Sequence, residues 1–213
     1  SLLQYKLKSG AAIPAEELSE MLVTIDRASS RAADVVKQLL TLSSRKEASF
    51  SPVDLNVVVK NVLHICENTF DKVVALEAGY ADTRAMIRGD QVQIEQILLN
   101  LCINASHALT IMRGEGGKEG GRITISVNRI NPDRPFLSRH PGAVPEPYWL
   151  LSVEDNGVGI PEDMLPKIFD PFFTTKGAGR GTGLGLAVVY NIIRQHSGFI
   201  DVISSPGVGT IFN

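Results

Sequence analysis

The chain has 213 residues and 44% of them are hydrophobic, which is enough to bury a core in one large domain or in a domain with an appendage. Its 21 basic and 23 acidic residues give a net charge of −2 without a basic run, so no nucleic-acid partner is expected. The sequence contains neither a signal peptide nor an apolar run of the roughly 20 residues that a membrane span needs. It predicts a cytoplasmic piece without direct membrane contact and leaves open an anchor elsewhere in the intact protein.

The two cysteines, Cys66 and Cys102, both lie in apolar segments that are typical of helices. This placement favours two reduced thiols over a disulfide or a zinc site.

A long helix is predicted over residues 15–46, because its apolar residues repeat every seven positions in two registers. The registers are Leu18, Ile25, Ala32, Leu39 and Met21, Ala28, Val35, Leu42. With residues 1–7 before it and a break between, residues 1–50 form a predicted helical hairpin that cannot bury its own seam. A homodimeric four-helix bundle satisfies the seam, and packing of the helix on the next domain of the same chain is the alternative.

The segment "SFSPVDLN" is interpreted as a linker to a second domain over residues 51–213, with Asp54 as the N-cap of the helix that follows. Short strands are predicted at "KVVALEA" and "RAMIRG". A strong helix is predicted over residues 90–111, opened by a capping box of Asp90 and Gln93.

This helix has two faces. Its apolar face carries Ile94, Ile97, Leu98, Leu101 and Leu109, and another face carries Gln96, Asn100, Asn104 and His107. Asparagine is a poor helix former, so two of them four residues apart indicate a purpose. Amide oxygens on one face can hold a hydrated Mg²⁺ beside phosphates, whereas a solvated polar face is the alternative.

The remaining predicted elements mix strands and one helix. Strands are predicted at "GRITISVNRI" and "YWLLSVED", separated by a Pro-rich loop, then a helix over residues 184–197 and strands at "GFIDVISS" and "GTIFN". Because strands and helices do not alternate regularly, the fold class is predicted to be α+β, a two-layer α/β sandwich with helices on one face of a mixed sheet.

Two glycine-containing stretches are candidates for ligand binding. "SVEDNGVGIPEDM" places Asp155 at the end of a buried strand, followed by Gly157, Gly159 and a short helix that starts at Pro161. A carboxylate there suits a planar ligand with an amino donor, and a plain strand-to-helix turn is the alternative.

The second stretch, "KGAGRGTGLGLAVVYN", fails the spacing of both the dinucleotide-binding GxGxxG and the Walker loop. What remains is a glycine run ahead of a helix N-terminus, which exposes N–H groups to an anion. By itself this pattern fits a phosphate cradle and a flexible loop equally well.

In order, "NLCINASHAL", "DNGVG", "FDPFFTTK", "GRGTGLGLAVV" and "GVGTIF" resemble the N, G1, F, G2 and G3 boxes of sensor histidine kinases of two-component systems. The resemblance implies the Bergerat ATP-binding fold, with ATP and Mg²⁺ as cofactors and a response-regulator receiver domain as partner. It also implies that residues 1–50 are the later part of a dimerisation and phosphoacceptor domain.

The resemblance assigns roles position by position. Asp155 would accept the adenine amino group, with Thr210 supporting it through water, and Asn104 would be the Mg²⁺ ligand beside Asn100. The remaining implied nucleotide-binding residues are His107, Gly157, Gly159, Ile160, Thr175, Lys176, Gly181, Thr182, Gly183, Leu184, Gly185, Leu186 and Thr210. Asn100, Asn104 and Lys176 would act in catalysis, and residues 176–185 would form the hinge and end of a lid.

Position 100 bears on the reaction. In the resembling ATPases this position is a glutamate that activates water, and an amide has no basic site for that step. We therefore expect phosphoryl transfer to a histidine, for relay to a response-regulator aspartate. The acceptor histidine is not among residues 1–10 and is expected shortly before Ser1. A nucleotide-binding regulatory module, a related ATPase and a protein serine kinase remain the alternatives.

Overall fold

The computed structural model describes residues 18–19, 21–23, 49–110, 121–176 and 181–213. The chain divides into two compact units, residues 1–44 and residues 45–213. In the first unit, residues 18–19 and 21–23 are helical. The rest of the predicted seam, and with it the hairpin and the dimer interface, lies outside the described residues. The domain boundary at residue 50 and the dimer therefore stay predictions.

The second unit opens with a short strand where a linker was predicted. Strand β1 (Ser51–Asp54) pairs antiparallel with β3 (Met86–Gly89), so the linker interpretation was wrong for these four residues. Proline 52 is tolerated because a two-stranded ribbon leaves an unpaired edge for a residue without an N–H. The pairing brings the end of β1 to the start of the first helix.

Helix α1 (Leu55–Thr69) begins where the sequence predicted. The carboxylate of Asp54 accepts a hydrogen bond of 3.1 Å from the N–H of Asn56, which confirms the predicted cap. The same oxygen accepts from the N–H of Ala85 at 3.2 Å. One carboxylate therefore fixes both the helix start and the approach to β3.

The main sheet has five strands. They are β2 (Val74–Gly79), β4 (Gly121–Ile130), β5 (Tyr148–Asp155), β6 (Val202–Ser205) and β7 (Gly209–Phe212), in the order β2-β4-β5-β7-β6. Strands β2 and β4 are parallel and the other neighbours are antiparallel. The predicted mixed sheet is confirmed, although β6 starts only at Val202.

Helices cover one face of this sheet. Helix α2 (Gln91–Thr110) packs on β4 and β5, α1 packs on β2 and β4, and α4 (Gly185–Gln195) packs on α2. Alternate residues of β4 (Ile123, Ile125 and Val127) are fully buried beneath the helices. This arrangement confirms the predicted α+β class and its two layers.

The predicted apolar face of α2 is also confirmed, because Ile94, Ile97, Leu98, Leu101 and Leu109 are all buried. Cys66 of α1 and Cys102 of α2 are free, buried thiols. A hydrogen bond with Cys66, together with burial, raises the pKa of Cys102 above its ordinary value, so this thiol stays protonated. No helix in the described parts of the chain is long and apolar enough to cross a membrane.

The predicted capping box of α2 is half right. The carboxylate of Asp90 accepts from the N–H of Gln93 at 3.2 Å, as expected. The N–H of Asp90, however, donates to Nε2 of His196 at 3.0 Å, not to the Gln93 side chain. His196 accepts this bond in place of Gln93 because α4 ends beside α2. Local spacing does not encode such a tertiary contact.

Two connecting segments also differ from the prediction. The Pro-rich loop contains a short helix, α3 (Arg134–Arg139), capped by Asp133. After Asp155, turns precede a 3-10 helix at Leu165–Lys167, so the predicted helix start at Pro161 was wrong. The N–H of Met164 donates to the carbonyl of Pro161 at 3.0 Å, which closes a tight turn there instead of an α-helical one.

Candidate functional site

Asp155 is a buried carboxylate at the end of β5. In the sheet register it lies between Ile123 of β4 and Thr210 of β7, and only 7% of the residue is exposed. Its Oδ1 accepts a hydrogen bond of 2.8 Å from the N–H of Gly157. Since a buried charge is costly unless it is hydrogen-bonded, this bond helps to stabilise the Asp155 carboxylate. Thr210, the predicted helper of Asp155, is directly opposite it and is also buried.

At two positions after Asp155 the backbone passes too close to its neighbours for a side chain. A Cβ on Gly157 would lie 2.7 Å from the Cβ of Ala108 in α2. Gly159 has φ +70°, and a Cβ there would lie 2.1 Å from the carbonyl oxygen of Ser205. Both predicted glycines are therefore required where the chain approaches α2 and the β6–β7 turn.

Sequence reasoning missed Ser204, which ties three parts of this cluster together. Its Oγ accepts from the N–H of Ile160 at 2.8 Å, and it lies 2.9 Å from Oγ1 of Thr210. It also donates to the carbonyl of Gly209 at 2.9 Å. Val202 and Ser204 are half-buried on the same face of β6, and the two-residue period of a strand, counted from Val202, was the signal that could have placed Ser204 on that face. The hydrogen bonds fix the Thr210 hydroxyl and the backbone of Ile160.

A second cluster forms on the predicted polar face of α2. The ammonium of Lys176 donates to Oδ1 of Asn104 at 3.1 Å and to Nδ1 of His107 at 2.7 Å. The histidine must therefore accept at Nδ1 and carry its proton on Nε2. Lys176, which is 72 and 69 positions from Asn104 and His107 in the chain, thus contacts both residues, and all three were predicted for one end of the ligand.

The electrostatics of this cluster favour an anionic ligand. Burial lowers the pKa of Lys176, and burial followed by the charge of Lys176 lowers the pKa of His107. Among the described residues, no carboxylate forms an ion pair with Lys176. A half-buried ammonium whose acceptors in the described parts of the chain are neutral would gain from phosphate oxygens, which neutralise its charge.

The N-terminus of α4 lies beside the same face of α2. Its N-cap, Leu184, is fully buried and gives no side-chain cap, and a Cβ on Gly185 would lie 3.7 Å from Oδ1 of Asn100. Oγ1 of Thr182 accepts from the N–H of Leu184 at 3.3 Å. Leu186 follows as a half-buried residue. Uncapped N–H groups at a helix start form an anion-binding end.

The segment "FDPFFTTK", which resembles the F box, is hydrogen-bonded to the backbone at the start of α4. The N–H of Phe172 donates to the carbonyl of Gly183 at 2.9 Å, and a Cβ on Gly183 would lie 2.3 Å from the carbonyl carbon of Phe172. Gly183 has φ +66° and Phe172 itself has φ +69°, which strains a bulky residue. This contact sets the position from which Lys176 reaches α2.

The remaining predicted residues lie at the edge of the site. Thr175 and Gly181 are exposed. A Cβ on Gly181 would lie 2.9 Å from Oγ1 of Thr174, and Thr174 also accepts from the N–H of Lys176 at 3.1 Å. Residues 177–180 lie outside the described residues, so the predicted lid over residues 176–185 is described only at its ends.

Helix α2 joins the two clusters. Ala108 contacts Gly157, and its carbonyl accepts from the N–H of Val158 at 3.4 Å. Asn104 is four residues earlier on the same helix, about 6 Å along the axis. A ligand lying along α2 would meet the Asp155 carboxylate at one end and Lys176 at the other. This order fits a molecule with an amino-bearing ring and an anionic tail.

A family model described as "Histidine kinase-, DNA gyrase B-, and HSP90-like ATPase" matches residues 89–213, the part of the chain that contains both clusters. The chain belongs to this ATPase family. The fold and the family-level resemblance expected from the five boxes are confirmed.

Curated relatives of this ATPase-family chain include sensor kinases. Sensor kinase CckA of Brucella abortus (strain 2308) is 38% identical over 192 residues, which are 90% of this chain and 19% of CckA. Sensor histidine kinase ZraS of Klebsiella oxytoca is 34% identical over 197 residues, which are 92% of this chain and 37% of ZraS. The chain thus spans well under half the length of these relatives.

Solved structures of similar fold include ShkA and the histidine kinase ThkA. Full-length ShkA in complex with AMPPNP has a TM-score of 0.69 at 22% identity, covering 95% of this chain and 39% of ShkA. Histidine kinase ThkA in complex with response regulator protein TrrA has a TM-score of 0.67 at 25% identity, covering 94% of this chain and 51% of ThkA.

Proposed function

We propose that this chain is the ATP-binding catalytic portion of a sensor histidine kinase. It would transfer the γ-phosphate of ATP to a histidine that this sequence does not contain, for relay to a response-regulator aspartate. The family match and the sensor-kinase relatives support the proposal. The observation that carries it is the pairing of the Lys176 ammonium with Asn104 on α2, one turn from the cradle of Asp155.

At the base end, the carboxylate of Asp155 would accept the adenine amino group, with Thr210 helping through a water molecule. Gly157 already occupies Oδ1 of Asp155, and a carboxylate oxygen accepts further bonds, so the adenine amino group would be an additional donor. Gly157 and Gly159 would let the backbone contact the ring, and Ile160 would pack beside it.

At the phosphate end, Lys176 would contact phosphate oxygens while His107 contributes a neutral, polar neighbour. The N–H groups at the start of α4 would complete this end. The proposed lining residues here are Thr175, Gly181, Thr182, Gly183, Leu184, Gly185 and Leu186.

Mg²⁺ fits the donor set at Asn104. The Oδ1 atom of Asn104 faces the site and already accepts from a cation, and an amide oxygen is a hard ligand of the kind that Mg²⁺ uses. Bound Mg²⁺ would neutralise phosphate charge and, as is usual for this ion, retain several waters. Asn100 would lie next to Asn104 on the side of α4.

Transfer is favoured over hydrolysis by the residue at position 100. Its Oδ1 lies 3.7 Å from where a Cβ of Gly185 would be, next to the proposed phosphate position. An amide there cannot take a proton from water, so the chain would position and screen the phosphate without activating a competing nucleophile.

The partners follow from the same proposal. A homodimer through the helical hairpin would bring the catalytic unit near an acceptor helix, and a receiver domain would take the phosphate. ThkA, which resembles this chain, has been seen with a response regulator. A cytoplasmic location suits these partners, and an anchor elsewhere in the intact protein would be compatible with it.

Calorimetry with ADP and Mg²⁺ on the 213-residue chain tests nucleotide binding. We expect binding in the wild type and a sharp loss in Asn104→Asp, which adds charge beside the phosphates. Absence of binding in the wild type would contradict the proposal. Rapid ATP turnover by this chain without an acceptor would contradict the role of Asn100 and favour an ATPase.

A further inference from the structure

The ammonium of Lys176 is hydrogen-bonded to the side-chain oxygen that a metal ion at Asn104 would need as its ligand. Its Nζ lies 3.1 Å from Oδ1 of Asn104, the only oxygen that this side chain can offer to Mg²⁺. It is also held 2.7 Å from Nδ1 of His107. The contact therefore has two anchors on α2, one turn of the helix apart.

We infer that Lys176 is a built-in substitute cation, which occupies Oδ1 of Asn104 until a metal ion enters the site and which Mg²⁺ must displace. This inference rests on the proposed function, since it concerns the order of events at the proposed ATP site. It makes Lys176 a regulator of metal entry as well as a phosphate ligand.

Electrostatics make the two occupants exclusive. A unit charge and a double charge on the same oxygen would be about 3 to 4 Å apart in a partly buried site, where repulsion is several times stronger than in water. The lysine therefore has to leave when the metal arrives. Its side chain is long and rotates freely, so the exchange needs no backbone movement.

The surroundings of Lys176 allow this exchange. Its acceptors are neutral, and no carboxylate among the described residues holds it in an ion pair. Phosphate oxygens would give the ammonium a charged acceptor in place of an amide, and hydrogen bonds to charged groups are stronger. The lysine would thus move toward the phosphates as the metal takes Asn104.

The contact also prepares the amide for metal. A donor of three N–H groups turns Oδ1, and not the amide nitrogen, toward the site. Asn104 is then in the orientation that a hard cation requires. The same lysine would therefore slow premature metal binding and preset the ligand for it.

The test measures Mn²⁺ binding to the 213-residue chain saturated with ADP, by electron paramagnetic resonance of the free ion. The variants are Lys176→Met, which keeps the length and removes the charge, Asn104→Ala, and the double variant. We expect Lys176→Met to bind Mn²⁺ about three- to tenfold more tightly than the wild type, the value of one competing hydrogen bond. In the Asn104→Ala background the same substitution should bring no gain.

Each outcome decides the inference. An unchanged or weaker Mn²⁺ affinity in Lys176→Met would overturn it. A gain that persists in the Asn104→Ala background would also overturn it, because the gain would then come from unscreened phosphate charge. Failure of ADP to bind the wild type would instead contradict the proposed function, so the two failures are distinguishable.

Discussion

The carboxylate of Asp155 is stabilised by its own backbone. It is 7% exposed, accepts from Gly157, and faces the buried Thr210 across the β5–β7 pair. A side chain that keeps the Gly157 contact but loses the charge would leave the fold in place and weaken the acceptor. This separation of folding from binding makes Asp155 a sharp probe of the site.

We predict that Asp155→Asn weakens ADP binding about 10- to 100-fold, the loss of one charged hydrogen bond, with little change in stability. The asparagine oxygen can still accept from Gly157. Calorimetry measures the affinity and thermal unfolding measures the stability. Glu154→Gln, the exposed neighbour on the same strand, is the control and should bind as the wild type does. Equal affinities in both variants would rule out Asp155 as the adenine acceptor.

His107 reports the charge of Lys176. Its pKa lies below 6.5 because of burial and then because of Lys176. The unfolded chain therefore takes up this proton at a higher pH than the folded chain does, so the free energy of unfolding falls as the pH drops below about 6.5. Lys176→Met should raise the pKa of His107 toward its ordinary value without reaching it, because burial remains.

Proton NMR of the His107 ring as a function of pH measures this shift. The exposed His64 ring serves as internal reference in the same spectra. A pKa of His107 that is equal or lower in Lys176→Met would show that the two side chains do not interact in solution.

Among the elements, the β6–β7 turn is placed by glycines with different constraints. Gly207 has φ +77° and a Cβ there would meet nothing within 4 Å, whereas Gly209 has φ +139° and a Cβ there would lie 2.0 Å from the carbonyl of Asp155. Both positions strain a side chain, but only Gly209 lets β7 approach the end of β5. The turn thus supports the Asp155 cluster from behind.

Substitution by alanine should separate these two effects. Gly209→Ala should lower the free energy of unfolding by roughly 2 kcal/mol or more beyond the loss in Gly207→Ala, because it adds a steric clash and because alanine adopts a φ of +139° less readily than one of +77°. Chemical denaturation of the two variants gives the difference. Equal losses would mean that the close approach of β7 to Asp155 does not exist.

Contacts of His196 join helices α2 and α4 at the end away from the proposed phosphate position. Nε2 of His196 accepts from the N–H of Asp90, its Nδ1 donates to the carbonyl of Ile192 at 2.9 Å, and Phe50 packs against its ring at 4.9 Å. These contacts hold α2 and α4 together, and the same two helices approach each other again where Asn100 of α2 lies near Gly185 of α4. His196 is thereby a positioning residue for the site.

Removing the His196 contacts should lower the free energy of unfolding. His196→Ala leaves the N–H of Asp90 without its acceptor, and we expect a loss of about 1 to 3 kcal/mol in the free energy of unfolding. His64→Ala, on the exposed face of α1, is the matched control and should change it by less than about 0.5 kcal/mol. A loss in His196→Ala no larger than that of the control would show that His196 does not hold the two helices together.

The elements could be predicted from the sequence wherever periodicity is strong. The apolar face of α2, the cap at Asp54 and the strands β4 and β5 follow from local spacing. The role of Ser204, the His196 cap and strand β1 could not, because each depends on a partner that lies 31 or more residues away in the chain. The five boxes predicted the site residues, but the contact of Lys176 with Asn104 depends on the three-dimensional fold.

At the scale of the whole molecule, the second unit supplies everything that the proposal needs for nucleotide binding. Helix α2 contacts both ends of the site, at Lys176 and at Gly157 beside Asp155. The sheet and α4 position the groups around it. In the proposed function, the acceptor histidine and the receiver domain lie outside this unit. The site would therefore release a phosphate that is destined for a histidine.

The most direct test incubates γ-labelled ATP and Mg²⁺ with a longer protein that carries the predicted acceptor helix ahead of residue 1. We predict label on the protein that is lost in acid and kept in base, the behaviour of phosphohistidine. The Asp155→Asn variant of the same protein should take up much less label. Absence of label on the wild type, or label that survives acid, would contradict the claim that this chain is the catalytic portion of a histidine kinase.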